Sequence, residues 1–234
     1  MKPCIVITTH NYTKKFAIPC VDSVIKNTPG DRLILLYDNE SDHPMAPQLM
    51  TKWEGVEGFR AIRIDDQKAE GGLTGTWNKG VREALEAGCD RIVLLNHDTV
   101  VNETWPEFLM AIEDPKIIYG PMSNKPGSPA VHRVQFAERG PVGDELRKAS
   151  IVNGFCMGLN LTDMTGKWHS KCDKKLPCVF DPRLHFGGNE TEFQRRFFRA
   201  CPGAHARVVE AAWVYHWKNH AWTRKNGTRY EDEF

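Results

Sequence analysis

The sequence predicts an α/β fold: a mostly parallel sheet flanked by helices, in a single domain over residues 1–217 followed by a polar tail, 218–234. Three observations predict it. Short apolar runs of strand character alternate with stretches whose apolar residues recur at helical spacing, the pattern of βαβ units. Polar clusters follow the carboxyl ends of three of those runs, where open α/β sheets bind ligands. The 234 residues, 41% hydrophobic and 26% charged, suffice for one large core and have ordinary globular composition.

Cys4 to Thr8 reads as a short buried strand. Phe16, Cys20, Val21, Val24 and Ile25 follow at helical spacing, and Pro29-Gly30 ends that helix. Arg32 to Tyr37 is a second strand, closing on Asp38-Asn39-Glu40-Ser41-Asp42, and Ala61 to Ile64 a weaker third. The glycine-rich turn from Gly71 to Gly75 leads to a helix carrying Trp77, Val81 and Ala84. Arg91 to Asn96 is a fourth strand, ending at His97-Asp98. Thr104 and Glu107 form a capping box before Phe108, Leu109 and Ile112. Residues 121–150, rich in Pro, Gly and charge, read as a long loop or lid. Phe155, Met157, Leu159 and Leu161 alternate as in a strand. Asn189 to Arg199 is a helix with Asn189 as N-cap and Glu192 closing a capping box, and Val208 to Tyr215 is a further strand.

Basic and acidic residues number 31 and 30, a net charge of +1, which gives no general pull toward nucleic acid or an anionic membrane. No apolar run approaches the roughly 20 residues of a membrane span, and the first residues lack the pattern of a signal peptide. The expected location is cytoplasmic, with most of the seven cysteines reduced. His169, Cys172, Cys178, Cys201 and His205 are zinc-type residues, but their spacing is looser than a zinc finger's, and Cys172 and Cys178 read as loop thiols.

Several clusters can carry chemistry. Asp98 ends a strand, where a carboxylate facing a diphosphate suits a hard cation, or simply caps the next turn. Asp38 can accept hydrogen bonds from a base or ribose, or serve as an ordinary turn residue. Gly72 to Gly80 lets backbone approach a ligand, yet lacks the Gly-Lys-Ser/Thr ending of an NTPase loop and does not follow the first strand as a dinucleotide fingerprint does. In Phe186-Gly-Gly-Asn-Glu190-Thr-Glu192, Glu190 stands at a helix mouth with no structural duty. His216 and His220 stand among Trp213, Trp217 and Trp222.

In order and spacing these motifs resemble glycosyltransferase family 2, of the GT-A fold, near its rhamnosyltransferase-like branch. Ile5 to Asn11 resembles the family's opening strand with Thr-x-Asn, and Tyr37 to Ser41 its Asp-Asn-x-Ser. Gly72 to Gly80 resembles its glycine–asparagine segment. Leu94 to Val101 resembles the Asp-x-Asp metal motif with Asn96 in the first place, and Asn153 to Met157 the acceptor-side strand. Phe180 to Phe186, then Asn189-Glu190-Thr-Glu192, resembles its acidic motif, with Asn-Glu-Thr-Glu replacing the usual acids. The match spans about residues 4–217.

The resemblance implies transfer of a sugar from a nucleoside-diphosphate sugar to a saccharide or other hydroxyl acceptor, with inversion. It implies Mn²⁺ or Mg²⁺ held by Asp98 and His216, Glu190 as base with Glu192 its competitor, and donor binding through Thr9, Asn11, Asp38, Gly72, Asn78 and Asn96. The helix dipole is expected to keep Glu190 ionised. Two rivals are an inactive nucleotide-sugar-binding module of the same fold and a sugar nucleotidyltransferase.

Overall fold

The computed structural model describes residues 1–42, 44–127, 132–172 and 178–217. The polar tail expected at 218–234, with His220 and Trp222, lies outside the described residues.

The fold is built outward from β1 (Pro3–Thr9), every residue of which is buried. Its near-continuous apolar run is what a strand covered on both faces requires. Cys4 and Val6 point to one side and Ile5 and Ile7 to the other, so the strand's two-residue period feeds two separate cores. Parallel partners flank it: β2 (Leu33–Asn39) on one side and β4 (Arg91–Asn96) on the other, with β3 (Phe59–Ile64) beyond β2. β3 is the edge of the sheet and only partly buried, which is why its sequence signal is weak.

Helices cover both faces. A π-helical turn (Thr13–Ala17) runs into α1 (Ile18–Asn27), followed by α2 (Ala46–Thr51), α3 (Gly72–Glu86), α4 (Trp105–Ala111) and α5 (Asn189–Ala200). Val21, Val24, Leu49, Trp105 and Phe108 pack one core, and Trp77, Val81, Phe193 and Phe197 the other. α3 starts at Gly72, so the glycine segment expected as a turn is mostly its first turn. Gly75 is required there, because a Cβ would stand 1.7 Å from the Glu70 carbonyl oxygen.

The second half of the sheet is β5 (Thr99–Val101), β6 (Ile117–Ser123), β7 (Leu146–Ala149), β8 (Cys156–Asn160) and β9 (His205–His216). The strand order is β3-β2-β1-β4-β8-β6-β9-β5, with β7 also on β9. β6 and β7 correct the expectation of one long loop over 121–150. Pro121 stands where the β6–β9 register shifts, an irregularity that accommodates its missing N–H and hides the strand from pattern reading.

Both expected capping boxes are also corrected. The Thr104 hydroxyl donates to Asn102 Oδ1 (2.7 Å) and accepts the Trp213 N–H (2.9 Å), tying α4 to β9 rather than capping. The N-cap of α5 is Gly188, at φ 72°, not Asn189. Asn189 instead donates its amide to Thr74 Oγ1 (3.1 Å), and Glu192 reaches forward to Arg196 (2.9 Å).

Order 3-2-1-4 makes β1 the point where the chain's winding reverses, and crevices in open sheets form outside the carboxyl ends there. Thr9 lies beside Asp38 and Thr8 beside Asn96 in the ladders. Across the sheet, Thr99 faces His216 in the β5–β9 pair. That register brings Asp98, one residue earlier, to His216.

Candidate active site

A cavity of about 530 Å³ opens at this edge of the sheet. Of the expected site residues, Thr9, Asn96, Asp98, Glu190 and His216 line it. Asn11, Asp38, Gly72 and Asn78 do not, and each has another task.

Asp38 is fully buried. Its Oδ1 accepts from the Ser41 backbone N–H (3.2 Å) and from the Ser41 hydroxyl, and its Oδ2 pairs with Arg63. Asn11, in the left-handed region at φ 59°, donates its backbone N–H to Ser41 Oγ (2.7 Å) and accepts the Asp42 N–H on Oδ1 (3.0 Å). Together these bonds weld the turns after β1 and β2 into one ledge. Asn78 clamps the far segment: Oδ1 accepts the N–H groups of Val179 (2.9 Å) and Phe180 (3.0 Å), and Nδ2 donates to the Phe180 carbonyl (3.0 Å). Gly72, at φ +61°, lets the 184–186 segment lie against α3, since a Cβ would meet the His185 carbonyl oxygen and the Phe186 ring at 2.8 Å.

Asp98 and His216 form one wall. His216 Nδ1 is 2.7 Å from the Lys125 carbonyl oxygen, and its ring stacks on Phe155 at 4.6 Å. A carbonyl can only accept, so Nδ1–H donates and Nε2 is left facing Asp98, with a proton when it donates to that carboxylate and a lone pair when the ring is neutral. Nε2 lies 3.4 Å from Asp98 Oδ2. Burial works against ionisation of Asp98, but the bond and charge from His216 outweigh it and hold the carboxyl below its usual range. A carboxylate oxygen and an imidazole lone pair at this spacing fit one divalent cation, with water and phosphate oxygens completing its shell. Among the described residues no group of three His, Cys, Asp or Glu gathers around a common point, so the protein's share would be these two.

Glu190 also lines the cavity, from the first turn of α5. Burial pushes its carboxyl above the ordinary carboxylate value, correcting the expectation that the helix dipole decides its state; removal from water outweighs a terminal dipole. Two features seat it. Gly154 leaves room, as a Cβ there would come within 3.1 Å of Glu190 Cγ. Buried Gln194 bonds both backbone groups of Val152 (2.8 Å each) and donates to the Glu190 carbonyl (3.2 Å). Glu192 does not line the cavity. It joins Arg196 and His169, and His169 and Arg183 pair with Asp181, tying α5 to His169 and Asp181.

Cys172 and Cys178 are joined in a disulfide, which corrects their reading as loop thiols. Cys4, Cys20, Cys89, Cys156 and Cys201 are free and buried.

Several lining residues carried no assigned role in the sequence, Gln67, His97, Asn153 and Phe186 among them. His97, Asn153 and Phe186 sit inside motifs already quoted, so position within the motif was the available signal. Gln67 lies in the loop after β3 and has no motif around it.

Solved structures of similar fold include GalNAc-T7 with UDP, GalNAc and Mn²⁺ (TM-score 0.66, 17% identity, covering 92% of this chain and 43% of that one). S. aureus TarS 1–349 in complex with UDP-GlcNAc superposes with TM-score 0.63 at 11% identity, over 97% of this chain and 62% of that one. S. aureus TarS 1–349 with UDP gives 0.59 at 13% identity, over 92% of this chain and 60% of that one. The chain thus spans between two fifths and two thirds of these proteins, and at such identity the likeness is one of fold. Among curated proteins none matches. The profile described as Glycosyl transferase family 2 matches residues 4–167, most of the chain and all of the parallel half of the sheet, and on that match the protein belongs to glycosyltransferase family 2.

Proposed function

We propose that the protein transfers a sugar from a nucleoside-diphosphate sugar to a hydroxyl group of a saccharide or other acceptor, by a single inverting displacement. The observation that carries this reading is the division of the cavity's two acids. Asp98 is paired with His216, whereas Glu190, lining the same cavity, has no ion-pair partner among the described residues.

Thr9 and Asn96 face the donor, with the Asn11–Asp38–Ser41 ledge behind them holding the nucleoside's edge of the sheet. Asp98 and His216 would hold Mn²⁺ or Mg²⁺. When bound, such an ion neutralises charge developing on a leaving diphosphate. Glu190 takes the proton of the acceptor hydroxyl as that oxygen bonds to the anomeric carbon and the bond from that carbon to the diphosphate breaks. One free carboxylate supports one displacement; a retaining route through a covalent intermediate would need a second acid as nucleophile, and Asp98 is committed. The neighbours solved with UDP, UDP-GlcNAc and Mn²⁺ support the same donor class.

The test is incubation of the purified protein with a panel of nucleotide sugars, following release of nucleoside diphosphate with and without simple sugar acceptors. Acceptor-dependent release, with NMR showing the opposite anomer in the product, is the expected result. A protein that binds donors but releases no diphosphate with any acceptor would be a binding module. One that releases pyrophosphate from a nucleoside triphosphate and a sugar phosphate would be a nucleotidyltransferase.

A further inference from the structure

Strands β6 and β8 pair over two positions, Ile118 with Leu159 and Tyr119 with Gly158. Past them β6 shifts register on β9 at Pro121, and the β6–β8 ladder stops before residues 152–155, which lead into β8. The backbone N–H groups of that segment still need acceptors, because an unpaired buried donor is costly. Side-chain amides supply them. The N–H of Val152 donates to Gln194 Oε1 (2.8 Å), that of Asn153 to Gln135 Oε1 (2.9 Å) and that of Phe155 to Asn153 Oδ1 (3.0 Å).

Gln135 is the one of these amides that no sequence motif contains. It ends a 3₁₀ turn (Arg133–Gln135) inside the stretch expected as a lid, and it is fully buried. A backbone N–H can only donate, so Oε1 faces Asn153 and Nε2 is left to donate to the Pro121 carbonyl (3.1 Å). The side chain thus bridges β6 to the 152–155 segment where the ladder no longer does. Gly120 makes room for it: a Cβ there would stand 2.6 Å from Gln135 Nε2 and 2.9 Å from Val152 Cβ.

What the segment carries gives this bridge a consequence. Asn153, Gly154 and Phe155 all line the cavity. Gly154 lies against the Glu190 side chain, where a Cβ would come within 3.1 Å of Cγ and 3.3 Å of Cδ. Gln194 ties Val152 to the Glu190 carbonyl (2.8 and 3.2 Å), and Gln135 ties the next residue to β6. The backbone beside Glu190 is therefore pinned to α5 at one residue and to the sheet at the following one.

We infer that Gln135 is a positioning residue for the reaction: by fixing Asn153 to β6 it holds Gly154 against Glu190, and so keeps the base in one place and shielded from water. The inference rests on the reading of Glu190 as the base of a nucleotide-sugar transferase, and it assigns a residue that acts on Glu190 only through the 153–154 backbone.

Gln135→Met keeps the side chain's length and loses both bonds. Carbon-13 NMR of glutamate-labelled protein follows the Glu190 carboxyl without any substrate, with Glu190→Gln identifying its signal. Burial raises that carboxyl and its own backbone N–H opposes the rise, so a loosened segment that admits water should move its titration down toward 4.5. Turnover of the nucleotide-sugar panel should fall about tenfold or more, the scale of one lost hydrogen bond, while calorimetric affinity for UDP with Mn²⁺ stays close to wild type. Gln135→Glu, whose carboxyl oxygen still accepts the Asn153 N–H, should recover part of both losses. If Gln135→Met does not fold, Gln135→Glu and Gly120→Ala, which presses on Nε2 from β6, carry the same test with smaller shifts. A Gln135 that only stabilises the fold would lower the melting temperature and leave the Glu190 titration in place, and that result overturns the inference whatever the protein binds. Failure of UDP to bind, or of every donor to react in the wild type, overturns the nucleotide-sugar reading instead, and the carboxyl titration still decides whether Gln135 seats Glu190.

Discussion

Glu190 shows how much a residue's chemistry depends on what surrounds it. Its type and its place at a helix mouth were visible in the sequence, but the sign of its pKa shift was not. Helix position argued for easy ionisation; burial beside Gly154 and the 150s segment reverses this. A raised pKa makes Glu190 a stronger base than an ordinary glutamate and shifts the acidic limb of kcat/KM upward from the usual value of 4.5. Glu190→Gln should lower turnover by about 10²-fold or more and flatten that limb, while Glu192→Gln should act mainly on stability. The stability sign follows from linkage. A carboxyl raised in the folded state favours folding below its unfolded pKa and loses that contribution as pH rises through the folded value. Glu190→Gln should therefore melt no lower than wild type at neutral pH and lose any advantage in acid. A clear drop in melting temperature at neutral pH would mean that Glu190 is structural. Asp38 carries a different lesson, because its partner Arg63 is set by the β2–β3 register and could not be read from either residue alone. Asp38→Ala should weaken nucleotide binding, and should also lower stability by about 1–3 kcal/mol through the orphaned Ser41 and Arg63 groups. Denaturant titration beside nucleotide titration separates the two effects. Unchanged stability would sink the ledge assignment.

At the scale of elements, the parallel half was legible because each strand is a short apolar run and each helix an amphipathic stripe. β6 was not, because Gly120 and Pro121 interrupt its run and only the pairing with β9 and β8 reveals a strand. The capping boxes failed for a related reason. Thr104 and Asn189 took partners 109 and 115 positions away, and Glu192 turned forward to Arg196 instead of back to the helix start, so each four-residue motif lost its reciprocal bonds. Two predictions belong here. Gly154→Ala places a methyl against Glu190 Cγ at 3.1 Å, so it should reduce kcat more than it changes donor affinity, since a small misplacement of a base is costly to rate. Equal loss in both, or none, would disprove that seating. The disulfide between Cys172 and Cys178 ends one residue before Val179, which Asn78 and Arg196 hold against α3 and α5. Thiol titration of the protein unfolded without reductant should count five cysteines, and seven after reduction. Seven in both would show that the pair is reduced in the isolated protein.

For the molecule as a whole, the sheet acts as a frame that brings residues distant in sequence to one cavity. β1, β2 and β4 present the polar ledge, whereas Asp98 and His216 meet only because β5 and β9 pair antiparallel after more than a hundred intervening residues. The sequence ordered the motifs correctly, yet this encounter depends on β9 running the full length from His205 to His216, longer than its apolar core indicated. The encounter also makes metal dependence a test of the global arrangement rather than of one motif. If Asp98 and His216 share a cation with the donor's diphosphate, Mn²⁺ should raise the melting temperature far more in the presence of UDP than alone. At a ligand concentration about 100 times Kd the gain is about 2.7 kcal/mol, and for a chain of this length about 2–4 °C per kcal/mol, so a combined shift of several degrees is expected. EDTA should abolish it. Asp98→Asn keeps the side chain's size but removes the charge, and should lose the Mn²⁺-dependent part while retaining any metal-free nucleotide shift. His216→Asn should lose less of it, because the carboxylate supplies the charge and the imidazole only a second donor atom. If Mn²⁺ and EDTA leave the UDP-bound wild type unchanged, the 3.4 Å pair of Asp98 and His216 is a structural contact and not a metal site.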